Sequence, residues 1–260
     1  MTLHNPRKRF GQHFLTDSDT ISRIVDVIAS SSEDIVVEIG PGQGALTEPL
    51  LDRVSCIHAI EIDRNLATVL EQRFRHLDKL RVHCADALKI DFSELAKKQR
   101  VRVVSNLPYN ISTPLIFHLA SFHDNIIDMH LMLQREVAQR LTATTGNKNY
   151  GRLSVIAGCC FKIEKLFDVL PESFTPPPKV VSSFAYFKPK PILAEGELKE
   201  LDKIVRLAFA NRRKTVANAL SALFNLSTLK YLGIDPCLHV DNIKPEQFLD
   251  MLEYCNKRRR

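Results

Sequence analysis

Between residues 35 and 142, short runs rich in β-branched and apolar residues alternate with stretches of helical periodicity. Strands are predicted at 35–39, 55–62, 80–83, 101–105 and 126–133, and helices at 45–52, 64–75, near 93–98, 113–122 and 135–142. Apolar strands separated by helices pair in parallel, because each crossover returns the chain over a face of the sheet. The fold class is therefore α/β, a mostly parallel sheet with helices on both faces. Such sheets bind ligands beyond the carboxyl ends of their strands. The residues that close each strand are thus the first to examine.

The rest of the chain extends this frame. Asp17 and Ser18 can start an amphipathic helix over Ile21 to Ser30, and Thr144 to Gly151 reads as a polar loop. A helix is expected at 152–160 and two closing strands at 161–169 and 180–187. Between these strands lies Pro171 to Pro178, too rich in proline for a central strand. Lys188 to Gly196 has the composition of a linker, and helices are predicted beyond it at 197–210, 215–224, 227–232 and 245–256. Two domains follow, 1–190 and 191–260, the second small and all-α.

Glu38 lies just before Gly40-Pro41-Gly42-Gln43-Gly44, where glycines allow a sharp turn and a close backbone approach. Dinucleotide-binding folds also carry glycine-rich first turns. Here the third glycine comes two residues after the second, and a carboxylate at 38 would repel a pyrophosphate. Glu61 and Asp63 close the next strand, at the spacing of a ribose-hydroxyl acceptor, and Asp86 follows the third. Any one of these acids suits a helix start or a solvated loop equally well. Together at one edge they suit a cationic nucleoside. S-adenosylmethionine matches, with ribose at Glu61, adenine at Asp86 and the sulfonium near the Glu38–Gly44 turn.

Asn106-Leu107-Pro108-Tyr109 ends the strand at 101–105. An amide oxygen and the carbonyl beside Pro108 can accept both hydrogens of an exocyclic amine, while Tyr109 stacks on its ring. Two acceptors there would stabilise the charge that develops as the amine attacks. A helix cap by Asn106 with Pro108 in the first turn is the plainer alternative. Phe174, inside the proline-rich segment, could wall an unstacked base or could fill the core.

The net charge of +6 and pI of about 9.0 suit a polyanionic partner. Basic clusters stand at Arg7-Lys8-Arg9, Arg212-Arg213-Lys214 and Lys257 to Arg260, as phosphate contacts or as solvated surface. None of the six cysteines forms a C-x-x-C pair. Cys56, Cys84, Cys159 and Cys160 sit in or beside apolar runs and are expected to be buried thiols rather than zinc ligands or disulfides. No metal is expected. The longest apolar run, 153–161, is too short to cross a bilayer. A soluble, cytoplasmic, monomeric protein is expected.

With these residues in view, the chain resembles the ribosomal RNA adenine N6,N6-dimethyltransferases, and most closely their bacterial small-subunit branch. The resemblance rests on Phe10-Gly11-Gln12-His13-Phe14-Leu15, Val37 to Gly44, Glu61-Ile62-Asp63, Asp86-Ala87-Leu88, Asn106 to Tyr109, Phe174 to Val180 and Arg212 to Thr215. It implies a Rossmann-like methyltransferase domain whose last sheet strand is antiparallel, followed by a small helical RNA-binding domain. It implies S-adenosylmethionine as donor and S-adenosylhomocysteine as product. Donor contacts would come from His13, Leu15, Gly40, Glu61, Asp86 and Asn106, beside the Glu38 and Gly42 turn. The base site would be formed by Asn106, Leu107, Pro108, Tyr109 and Phe174. The implied substrate is a pair of adjacent adenosines near the 3′ end of small-subunit rRNA in an assembling subunit, each methylated twice. His13 stands where Asn is frequent, and Val181 where an acidic residue is common. A DNA adenine methyltransferase, a large-subunit rRNA enzyme and a non-enzymatic assembly factor are the rival readings.

Overall fold

A computed structural model describes residues 12–97, 99–107, 111–190, 193 and 196–259. Strand β1 (Phe14–Leu15) leads into helix α1 (Ser18–Ile28). The Asp17 carboxylate accepts the Thr20 N–H at 2.9 Å, satisfying one donor of the first turn. Ile24, Val25 and Ile28 line the buried side of the helix. The alternating region follows as β2 (Ile35–Ile39), α2 (Thr47–Leu51), β3 (Cys56–Glu61), α3 (Arg64–Arg73), β4 (Leu80–Cys84), α4 (Phe92–Leu95), β5 (Val101–Asn106), α5 (Ser112–Ala120), β6 (Ile126–Gln134) and α6 (Arg135–Leu141). Then come α7 (Arg152–Cys160), β7 (Phe161–Val169), β8 (Phe174–Thr175), β9 (Ser182–Pro189), α8 (Glu197–Ala210), α9 (Val216–Ala219), α10 (Leu226–Tyr231) and α11 (Pro245–Arg259).

Among the described residues, seven strands form one sheet in the order β4-β3-β2-β5-β6-β9-β7. β2 runs parallel to β3 and β5, β3 to β4, and β5 to β6, whereas β9 runs antiparallel to β6. The register sets Ile39 opposite both Ile60 and Ser105, so β2, β3 and β5 end near one edge. On one face Val36, Ile57, Ala59 and Val104 join Ile24, Val25, Leu50 and Leu70 in a continuous core. The mostly parallel sheet with an antiparallel last strand is as expected.

Contacts divide the described residues into two units, one running to residue 138 and including 164–189, the other made of 139–163 and 190 onward. The expected division at 190 thus differs over 139–163. Nearly every side chain of α7 is buried, so that helix needs cover on all sides, and it packs with α8 and α11. Arg152 on α7 holds Asp202 on α8 through two bonds of 2.6 and 2.9 Å. Tyr150 donates its hydroxyl to the Ile243 carbonyl at 2.7 Å. The helix expected over 215–224 is α-helical only at Val216–Ala219.

None of the six cysteines is in a disulfide. Cys159 and Cys160 are buried, and burial pushes the Cys160 thiol up to about 12. Cys84 corrects the expectation: it is exposed, because β4 is an edge strand. Among the described residues no helix is long and apolar enough to cross a membrane, and no cluster of three or more His, Cys, Asp or Glu could hold a metal ion.

Three buried polar residues of the first unit make its stability sensitive to pH and to one carboxylate. Arg102 on β5 grips Asp128 on β6 with two bonds of 3.0 and 2.7 Å and donates to the Ile28 carbonyl at 2.9 Å. Asp128→Ala would leave that guanidinium with its main partner gone, at a cost of about 3–5 kcal/mol by urea unfolding. Burial pushes His58 and His130 each down to about 4, so both are neutral in the folded state. Unfolded histidines bind protons below about 6.5. Stability from these two is therefore complete above that value and declines as pH falls toward 4, which acid titration of the unfolding midpoint would record.

Candidate active site

At the carboxyl ends of β2, β3 and β5 the first unit encloses a cavity of about 210 Å³. Glu38, Gly40, Gly42, Glu61, Asp86 and Asn106 all line it, with His13, Leu15 and Leu107. The structure thus brings together every predicted donor-site residue. No Lys or Arg is among the described residues that line the cavity.

The floor comes from the ends of the strands and the turns after them. Gly40 and Gly42 have φ of 68° and 58°, left-handed values that favour glycine. The Gly42 N–H donates to Oε2 of Glu61 at 3.1 Å, and the Asp63 N–H donates to Oε1 at 2.9 Å. Each carboxylate oxygen keeps a lone pair for a further donor such as a ribose hydroxyl. Burial moves the Glu61 carboxyl above its ordinary range, against the lowering effect of these backbone bonds. Ile62, beside it, is 51% exposed and adds an apolar side chain to the cavity lining. Asp86 accepts the Leu88 N–H at 3.0 Å and so starts a short helical turn.

Glu38 is 2% exposed, and Thr47 of α2 donates its hydroxyl to Oε2 at 2.6 Å. Burial first, and the charge of Glu61 after it, raise its carboxyl to about 7 despite that bond. The sequence offers no signal for Thr47; only folding α2 against β2 puts its hydroxyl beside Glu38.

The roof joins segments far apart in sequence. β1 pairs with β8, Leu15 opposite Phe174, and the Thr16 N–H donates to the Ser173 carbonyl at 2.9 Å. Nδ1 of His13 lies 2.7 Å from the Pro176 carbonyl. Asn106 donates its side-chain N–H to the His13 carbonyl at 3.2 Å, which leaves its amide oxygen available as an acceptor. Neither β1 nor β8 was expected, because two-residue strands carry no periodicity to read.

Phe174 is 3% exposed, belongs to the core cluster and does not line the cavity. Of its two expected places, a wall for a base or a plug in the core, the described residues show the second: Phe174 belongs to the same buried cluster as Phe167, Phe184 and Val169. Pro108 and Tyr109 lie outside the described residues, as do Arg7, Lys8 and Arg9. In the second unit Arg212 is braced, donating to the Lys148 carbonyl at 3.2 Å and pairing with Asp241 at 3.5 Å. Arg213 and Lys214 are exposed.

The sheet order and the cavity at its edge define a Rossmann-like methyltransferase. Among solved structures, a dimethyladenosine transferase from Plasmodium falciparum superposes with a TM-score of 0.83 at 30% identity, over 95% of this chain and 98% of that one. The crystal structure of the 23S rRNA methyltransferase ErmE gives a TM-score of 0.72 at 25% identity, over 94% and 99%. The ribosomal RNA adenine dimethylase profile matches residues 3–257, and the chain belongs to that family. The ribosomal RNA small subunit methyltransferase A of Nitrosospira multiformis is 46% identical over 256 residues, 98% of each chain. Its namesake in Nitrosococcus oceani is 48% identical over 254 residues, 96% of each.

A Cβ at Gly42 would sit 3.1 Å from the Phe14 ring, on a backbone with φ of 58°. Gly42→Ala should therefore destabilise the fold by about 1–2 kcal/mol, measurable by thermal unfolding.

Proposed function

We propose that the protein transfers methyl groups from S-adenosylmethionine to N6 of two adjacent adenosines near the 3′ end of small-subunit rRNA. The products are N6,N6-dimethyladenosines, made in the cytoplasm during ribosome biogenesis by a monomeric enzyme. The carrying observation is the cavity at the sheet edge. Glu38, Glu61, Asp86 and Asn106 line it, and among the described residues no Lys or Arg does. Membership of the adenine dimethylase family and the small-subunit names of the bacterial relatives support the substrate.

The residues fit the donor in kind. Glu61 has lone pairs for a ribose, Asp86 can accept from an adenine amine, and the turn of Gly40 and Gly42 lets backbone approach closely. When bound, the donor supplies an electrophilic methyl group on positively charged sulfur. Asn106, held by the His13 carbonyl, aims its amide oxygen at the target amine and stabilises positive charge on nitrogen as the new N–C bond forms. Leu107, Pro108 and Tyr109 complete the base site, with Tyr109 holding the ring at attack distance. The proton lost from the product amine passes to solvent, so no strong base is required. Arg213 and Lys214, with Arg7, Lys8 and Arg9, take RNA phosphates, and Arg212 holds the turn that presents them.

Mass spectrometry of unmethylated small subunits, incubated with enzyme and donor, should find dimethylated adenosines at adjacent positions near the rRNA 3′ end. Modification confined to large-subunit rRNA or to DNA would refute the proposal. Asn106→Ala should lower radiolabelled methyl transfer by about 10²–10³-fold while donor binding survives in part. Tyr109→Ala should impair transfer more than binding. Glu61→Ala should raise the donor Kd, and an unchanged value would remove Glu61 from the site.

A further inference from the structure

We infer that Glu38 is the residue by which the cavity tells the cationic donor from its product, ionising when a sulfonium enters and regaining a proton when only a thioether is present. This rests on the proposed reading of the cavity as the S-adenosylmethionine site. Methyl transfer removes one methyl and one positive charge from sulfur and leaves the rest of the ligand as it was. Shape alone gives little discrimination over a single methyl group. A carboxylate that changes charge state can give more.

Glu38 occupies the place where such a response is strongest. It lies in β2, enclosed by the sheet, and meets the cavity directly. Among the described residues, the charged and titratable groups that share the cavity wall are Glu61 from β3, Asp86 after β4 and His13 before β1. Its partners across the sheet, Ala59 of β3 and Val104 of β5, bring no charge. α2 brings the Thr47 hydroxyl, and the neighbouring Glu48 is engaged by Arg73 at 2.5 Å. Glu38 thus faces other carboxylates, and among the described residues no Lys or Arg stands in the wall. Its acid form therefore persists up to neutrality, burial having moved the carboxyl to about 7. A cation in the cavity offsets both the burial and the Glu61 charge, and the proton goes to solvent. After transfer the sulfur is neutral, Glu38 takes a proton back, and the advantage held by the donor is gone.

Calorimetric titration of the full chain with S-adenosylmethionine and with S-adenosylhomocysteine, from about pH 5.5 to about pH 7.5, tests this. The ratio of product Kd to donor Kd should rise about tenfold across that range. Comparing two buffers of different ionisation enthalpy near the middle of the range should show more proton release on donor binding than on product binding. In Glu38→Gln the ratio should be flat; a rise of the same size in that variant would come from titration of the ligands themselves and would overturn the inference. Thr47→Val deletes the hydroxyl that favours the carboxylate, so the rise should move to higher pH. If Glu38→Gln does not fold, the wild-type proton count and Thr47→Val decide the matter. A wild-type ratio independent of pH, with both ligands bound, overturns the inference. A protein that binds neither ligand overturns the reading of the cavity instead.

Discussion

Two carboxylates kept out of water at the carboxyl edge of a parallel sheet set the terms for the whole first unit. Parallel pairing sends β2, β3 and β5 the same way, so whatever closes one strand stands beside whatever closes the next. Glu38 and Glu61 are thereby brought to one wall. Burying acids is costly unless hydrogen bonds or a countercharge compensate. Part of that compensation is built in: the Thr47 hydroxyl serves Glu38, and the Gly42 and Asp63 amides serve Glu61. The left-handed turn at Gly40 and Gly42 is what aims one of those amides inward. Turn, helix α2 and sheet edge are thus parts of one arrangement for holding two acidic side chains in a buried place.

Much of this could be read from the chain, for identifiable reasons. The β2–β6 alternation was legible because buried strands and amphipathic helices leave different periods in sequence. That Glu38, Glu61, Asp86 and Asn106 would share one edge could be read because they close or directly follow strands, where local position implies spatial position. What escaped were contacts between distant segments. Pairing of β1 with β8 joins residues about 160 apart and involves two residues a side. Phe174 could not be assigned from its neighbours, because a phenylalanine among prolines suits a surface or a core equally. The structure seats it in the core through that same pairing. The grouping of 139–163 with the C-terminal helices was hidden for a related reason. An apolar helix such as α7 declares that it needs cover but not which helices supply it.

The second unit shows how charge in sequence divides into roles once folded. Arg212, Arg213 and Lys214 read as one basic run, yet Arg212 is held by Lys148 and Asp241 while its neighbours face solvent. A guanidinium with several directed donors suits bracing of this kind. Its loss would act on the shape of the surface before it acted on the charge.

The bond from Asn106 to the His13 carbonyl ties the strand that forms the floor to the segment that forms the roof. One planar side chain thereby has two obligations, since the same group that lines the cavity also fastens the covering chain. An aspartate there would keep the size and the acceptor oxygen, yet it would have no hydrogen to offer and would set negative charge against a carbonyl. The near-isosteric exchange is consequently a harsh one. The position calls for a residue with opposite hydrogen-bonding character at its two ends, which an amide has and a carboxylate lacks.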